Sequence, residues 1–128
     1  MATVVVDWLA EFDRSLQAQD LDAVVEQFDD ACYWRDLLTF THNIRTEEGK
    51  DAIREMLEAR LADTKPSAFK IDGQATETSD GILEAFFTFE TSIARGRGYL
   101  RLKANTGKAL NILTTMEELK GFEEKKVN

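Results

Sequence analysis

One switch in the sequence limits the folds open to this chain more than any other feature. At Pro66, its only proline, the spacing of apolar residues changes from about 3.6 to about 2. Before that point the spacing predicts helices. Val5, Trp8, Leu9, Phe12 and Leu16 form one stripe of a first helix, with Thr3 as its cap. Asp20 caps a shorter second helix carrying Leu21, Val24, Val25 and Phe28, which Asp29-Asp30 ends. The aromatic-rich stretch Cys32 to Leu38 reads as a strand, and Thr46 to Gly49 as a loop. Asp51 opens a third helix with Ile53, Met56, Leu57 and Leu61 inward. Pro66 falls just past it, where a missing N–H and a fixed φ do no harm.

After Pro66 the chain reads as a meander. Ser67 to Thr78 is a strand that Gly73 bends or bulges, and Ser79-Asp80-Gly81 is a hairpin turn. Ile82 to Thr91 alternates, with Leu83, Ala85, Phe87 and Phe89 on one face and Glu84, Phe86, Thr88 and Glu90 on the other. Gly96 to Lys103 and Ala109 to Glu117 follow, joined by the turn Asn105-Thr106-Gly107. Helices first and strands afterwards predict an α+β fold. Three N-terminal helices would pack on a strongly curved, mostly antiparallel sheet, as a cone-shaped barrel around an interior cavity.

Composition narrows the function. A chain of 128 residues fits one domain, taken as residues 1–117, with a charged tail over 118–128. Acidic residues outnumber basic ones 24 to 16, for a net charge of −8, which repels a nucleic-acid backbone and argues against that partner. No apolar run approaches the roughly 18 residues of a membrane span. The segment Met1 to Asp7 lacks the basic start of a signal peptide, and Cys32 has no cysteine to pair with. Both point to the cytoplasm. With one histidine and one cysteine, neither a metal nor another cofactor is expected. Gly96-Arg97-Gly98-Tyr99-Leu100-Arg101 lacks the third glycine of a dinucleotide loop and precedes a strand, so it is no nucleotide site.

The candidate site residues centre on Cys32 to Arg45. Asp36 sits among Trp34, Leu37, Leu38 and Phe40, and a carboxyl group in a cavity so lined can act as general base or acid. Its structural alternative is a bond to a loop amide or a pair with Arg35 or Arg45. His42, the only histidine, could relay a proton. Continuous strand would part it from Asp36 by roughly 20 Å, so a dyad requires a turn near Leu38 to Thr41. Trp8, Phe12, Trp34, Phe40, Phe87, Phe89, Ile112, Thr114 and Met116 are expected to line an apolar pocket for a small hydrophobic molecule. On the opposite face Ile82, Phe86, Tyr99 and Leu113 are too apolar to be left in water as a patch, and predict a homodimer.

Two runs carry a family resemblance: Gln19-Asp20-Leu21-Asp22-Ala23-Val24-Val25-Glu26-Gln27-Phe28 and Ala31-Cys32-Tyr33-Trp34-Arg35-Asp36. They resemble the second helix and following strand of the nuclear transport factor 2-like superfamily, which includes SnoaL-like polyketide cyclases and steroid isomerases. The resemblance implies the curved α+β fold, dimers through the outer sheet face, and Asp36 as base of an isomerase, cyclase or hydrolase. Phe12 and Gly98 fall where the steroid isomerases hold their oxyanion donors, and neither offers a side-chain hydrogen bond. Steroid isomerisation is therefore not expected. Four further runs, Trp34 to Thr41, Asn43 to Thr46, Gly96 to Leu102 and Glu118 to Gly121, look like the N-terminal domain of certain flavin-dependent monooxygenases. That likeness implies a flavin enzyme as partner, and a module without catalysis of its own.

Overall fold

The computed structural model describes residues 2–37 and 44–119. Helix α1 (Ala2–Gln17) and the short α2 (Leu21–Glu26) lead into strand β1 (Phe28–Leu37). Strand β2 (Ile44–Glu48) and helix α3 (Lys50–Thr64) follow. The meander is β3 (Ser67–Glu77), β4 (Ile82–Glu90), β5 (Ala94–Lys103) and β6 (Ala109–Leu119). All six strands join one open sheet in the order β2-β1-β6-β5-β4-β3. The β1–β6 pair is parallel and every other pair is antiparallel. Three helices on a curved, mostly antiparallel sheet is the architecture that the change of period predicts.

The local reasons are visible element by element. The stripe Val5, Trp8, Leu9, Phe12 and Leu16 on α1 is buried. The Ala23 N–H donates to Asp20 Oδ1 at 3.2 Å and starts α2. Lys65, in the left-handed region at φ 49°, donates its N–H to Leu61 O and closes α3; Pro66 then continues the chain. Gly73 (φ 82°) lies where the β3–β4 register slips, and Gly81 (φ 78°) closes the hairpin turn.

Several boundaries depart from the sequence expectation. Helix α1 already includes Thr3, which is therefore no cap, and Gly49 precedes α3 at its N-terminus. Phe28 is the first residue of β1, not the last of α2. The carbonyl of Gln27 accepts from both Ala109 N and Trp8 Nε1, which draws the chain off the helix two residues early. Thr46 to Glu48 is strand, not loop. Its sequence carries no apolar alternation because the pairing with β1 is made by backbone, with Gly49 N donating to Cys32 O at 2.8 Å.

The concave face holds the core. Helix α1 packs across β3 and fills the interior with rings. Phe12 stacks on Trp8 at 4.6 Å, tilts against Trp34 at 5.6 Å and meets the edge of Phe69 at 5.2 Å. Phe69 in turn stacks on Phe89 at 5.1 Å. Each such ring removed from water contributes about 1.5–3 kcal/mol. Register sets the inward side chains in rows across the sheet. Ala85, Leu100, Ile112 and Trp34 make one row; Phe87, Gly98, Thr114 and Asp36 make the next; Phe89, Gly96 and Met116 follow.

Phe87 and Phe89 lie flat over the two glycines opposite them. A Cβ on Gly98 would stand 2.0 Å from Phe87 Cζ, and one on Gly96 would stand 2.5 Å from Phe89 Cζ. The glycine spacing of β5 thus serves ring packing. Gly98→Ala is expected to lower the unfolding free energy by about 2–3 kcal/mol through overpacking, and Phe87→Ala by about 3–5 kcal/mol through the cavity. In urea denaturation the double variant should lose less than the sum of the two. Strict additivity would show that the ring and the glycine do not constrain each other.

Candidate functional site

The interior also holds a polar chain of three side chains on β1 and β6. Strand alternation turns Trp34 and Asp36 inward from β1, and the parallel register brings Thr114 opposite Asp36. Trp34 Nε1–H donates to Thr114 Oγ1 at 2.8 Å. The Thr114 hydroxyl donates to Asp36 Oδ1 at 2.7 Å. All three side chains are 0% exposed. The direction of the chain is fixed by chemistry, because an indole N–H only donates and a carboxylate only accepts. The hydroxyl between them, taking a donor from the indole, has its own proton left for Asp36.

The sequence-predicted residues divide clearly. Asp36, Trp34 and Thr114 form one hydrogen-bonded unit, and Phe87 lies in the same row as Asp36. Phe12 and Ile112 are buried beside Trp34, Phe89 is buried in the adjoining row, and Met116 is half-buried there. Trp8 belongs to the far end of the core, where its indole N–H donates to Gln27 O at 3.1 Å. It also lines a surface groove of about 500 Å³ with Asp7, Glu11 and Lys108. His42 and Phe40 lie outside the described residues, and so does any Asp36–His42 dyad. Arg35 turns to the opposite face and donates to Thr46 Oγ1 at 3.2 Å, so it is not the partner of Asp36 considered from sequence. Arg97 meets Asp72 at 2.6 Å and Glu117 at 3.6 Å within this chain.

The residue that sequence reasoning placed without its role is Thr114. It appears as one polar position between Ile112 and Met116 on an otherwise apolar face, which marks it as unusual. Its contact with Asp36 depends on the parallel β1–β6 pairing, 78 positions apart in sequence. Nearby, burial pushes the Cys32 thiol up from its ordinary range. Among the described residues, no group of three or more His, Cys, Asp or Glu side chains is placed to hold a metal ion. No described helix is long and apolar enough to cross a membrane.

Solved structures share the fold of this chain. An uncharacterized protein with a cystatin-like fold from Caulobacter vibrioides superposes with a TM-score of 0.74 at 14% identity, over 91% of this chain and 89% of that one. A ketosteroid isomerase-like protein from Erwinia carotovora atroseptica gives 0.70 at 14% identity, over 91% and 96%. This is the cystatin-like fold. Two structures with it carry ligands. RV0760c from Mycobacterium tuberculosis, in complex with estradiol-17β-hemisuccinate, matches at 0.62 and 12% identity, over 87% of this chain and 92% of that one. The orange carotenoid protein of Anabaena (Nostoc) sp. PCC 7120, binding canthaxanthin, matches at 0.65 and 17% identity; there the match covers 84% of this chain and 35% of the longer one. No protein-family model matches the chain, and no curated protein sequence does.

Thr114→Val removes the centre of the polar chain and leaves a buried donor and a buried acceptor without this partner. A loss of about 2–3 kcal/mol in unfolding free energy is expected, together with an upfield move of the Trp34 indole proton in a ¹H–¹⁵N spectrum. Thr114→Ser should restore both. An indole resonance unmoved in the valine variant would contradict the hydrogen-bonded chain.

Proposed function

We propose that this chain binds a small, largely apolar molecule inside the cone, with Asp36 as the polar contact. The observation that carries this reading is a carboxylate at 0% exposure amid aromatic rings, held by a hydroxyl that is itself held by an indole. Moving a carboxylate out of water costs several kcal/mol even when it is paired. An apolar residue of similar volume would serve stability at least as well, so the carboxylate is better explained by what it contacts. Ligands in two structures of the same fold, a steroid ester and a carotenoid, support an apolar guest. General-base catalysis at Asp36 has weaker support. Phe12 is stacked on Trp8 and tilted against Trp34, and Gly98 lies under Phe87, so neither position aims a donor at a developing oxyanion.

Because Asp36, Thr114 and Trp34 are sealed from solvent, a guest must displace side chains to reach them. Estradiol-17β-hemisuccinate is a concrete first probe, followed through tryptophan emission. Saturable one-to-one binding by the natural protein, weakened in an Asp36→Asn variant that unfolds at the same urea concentration, is the expected result. Equal affinity in both proteins would remove Asp36 from the site. An Asp36→Asn protein that fails to fold would make the residue structural.

The outer face supports a second proposal, a homodimer. Phe86 is 54% exposed, its ring lies 5.0 Å from that of Tyr99, and Leu113 continues the same row. Partial burial and the neighbouring Glu84 push Tyr99 up to about 12, so the row stays uncharged across ordinary pH. A flavin enzyme, the partner that the monooxygenase resemblance implies, is the competing occupant of this face. Sedimentation at tens of micromolar should give a dimer that Phe86→Lys converts to monomer, a range set by ordinary interface affinities. A monomeric natural protein would leave the face to the other partner.

A further inference from the structure

A buried side chain on the outer face of the sheet is left without a partner for its oxygen. Among the described residues, Gln27 Oε1, Arg101 Nε and Asn111 Oδ1 are buried and make no hydrogen bond. Gln27 still donates its amide to Trp8 O, and Arg101 Nε has Glu84 Oε2 at 3.3 Å as an ion pair. Asn111 has no such compensation among the described residues, and it is only 5% exposed. Trp34 and Ile112 turn into the core, so Tyr33 and Asn111 turn outward, and the parallel register sets these two side by side. Arg101 flanks Asn111 on its other side. Tyr33 is 41% exposed, and no hydrogen bond among the described residues uses its hydroxyl. An amide oxygen only accepts, and a phenol can donate. A spare acceptor and a spare donor thus stand next to each other on one surface, and they do not bond each other.

Resting on the homodimer proposed for this face, we infer that Tyr33 of each copy donates its hydroxyl proton to Asn111 Oδ1 of the other. In a twofold interface, a residue that meets a second residue of the other copy is itself met in the same way. Two complementary groups on adjacent strands satisfy that condition, because an axis passing between them brings each onto the other's mate. The movement that carries a Tyr33 ring toward the second copy also uncovers the Asn111 beside it. Charge points to the same occupant. The chain carries −8, yet bases and acids are matched on this face. Arg101 meets Glu84 at 3.3 Å, Arg97 meets Asp72 at 2.6 Å and Lys103 meets Asp29 at 3.1 Å. A second copy is therefore not repelled by this surface. Phe86, Tyr99 and Leu113 lie one row further along it and supply apolar contact without direction. The Tyr33–Asn111 pair fixes how the copies are turned, as a single buried polar residue fixes register between paired helices.

Sedimentation over a concentration series on the intact chain, with Tyr33→Phe, Asn111→Leu and the double variant, tests the pairing. Tyr33→Phe deletes one exposed hydroxyl and keeps the ring, so the fold stays in place. Each single variant should weaken the dimer at least about tenfold, the scale of two hydrogen bonds lost per dimer. The double variant should dissociate no more readily than the weaker single one, because both changes remove the same contacts. In urea, at a concentration where the protein is monomeric, Asn111→Leu should unfold no more easily than the natural chain, since it removes an unpaired buried group. Should Asn111→Leu fail to fold, Tyr33→Phe alone decides. A natural dimer that neither substitution weakens leaves the dimer standing and overturns the pairing. Losses that simply add overturn it too, since the two residues then act on separate partners. A dimer weakened only by Asn111→Leu assigns the donor to another residue and removes Tyr33 from the contact. A monomeric natural protein removes the dimer, and the pairing with it.

Discussion

The parallel pairing of β1 with β6 is the contact on which the rest of this molecule depends. Among the described strands it is the one parallel pair, in a sheet otherwise built of antiparallel neighbours, and it closes a connection from Leu37 to Ala109 across most of the chain. Without it the meander β3–β6 and the unit of helices with β1 and β2 would each expose an apolar face. With it, α1 lies across the concave side and the rings of Phe12, Trp34, Phe69 and Phe89 join one cluster. The same pairing puts Thr114 beside Asp36. Fold and candidate site thus share a single cause.

Much of the fold was legible in the sequence because its cause is local. The stripe on α1, the Asp20 cap, the turn at Gly81 and the alternation of β4 are each decided within a few residues. The facing sides of β4 came out as read, since a period of two leaves no freedom once one residue is known to point inward. Strand β2 was missed because Thr46-Glu47-Glu48 has no apolar face to betray it; its existence depends on the backbone of β1. Phe28 was assigned to the wrong element because the pull on Gln27 comes from Trp8 and Ala109, which lie far away in sequence.

The site was legible only in part, for the same reason. Asp36 stood out as a charge among apolar neighbours, and Thr114 as a hydroxyl on an apolar face. Nothing local to either says that they touch, or that Trp34 makes the third member. Phe12 and Gly98 were read as lacking donors; the structure adds that a ring occupies the space where a side chain at position 98 would stand. The absence of a polar group there is enforced by packing and is more than a matter of residue choice.

That enforcement has a consequence for the routes by which this sequence can change. Any lineage that gained a side chain at position 98 while Phe87 remained would pass through an overpacked protein. One that first shrank Phe87 would carry a cavity costing roughly 3–5 kcal/mol, a large share of the 5–15 kcal/mol or so that holds a typical domain together. The two positions must therefore move almost together, or after stabilising changes elsewhere. Descendants of this chain are held away from a polar group at position 98 by a ridge in their fitness landscape, and the ring that fills the interior is what raises it.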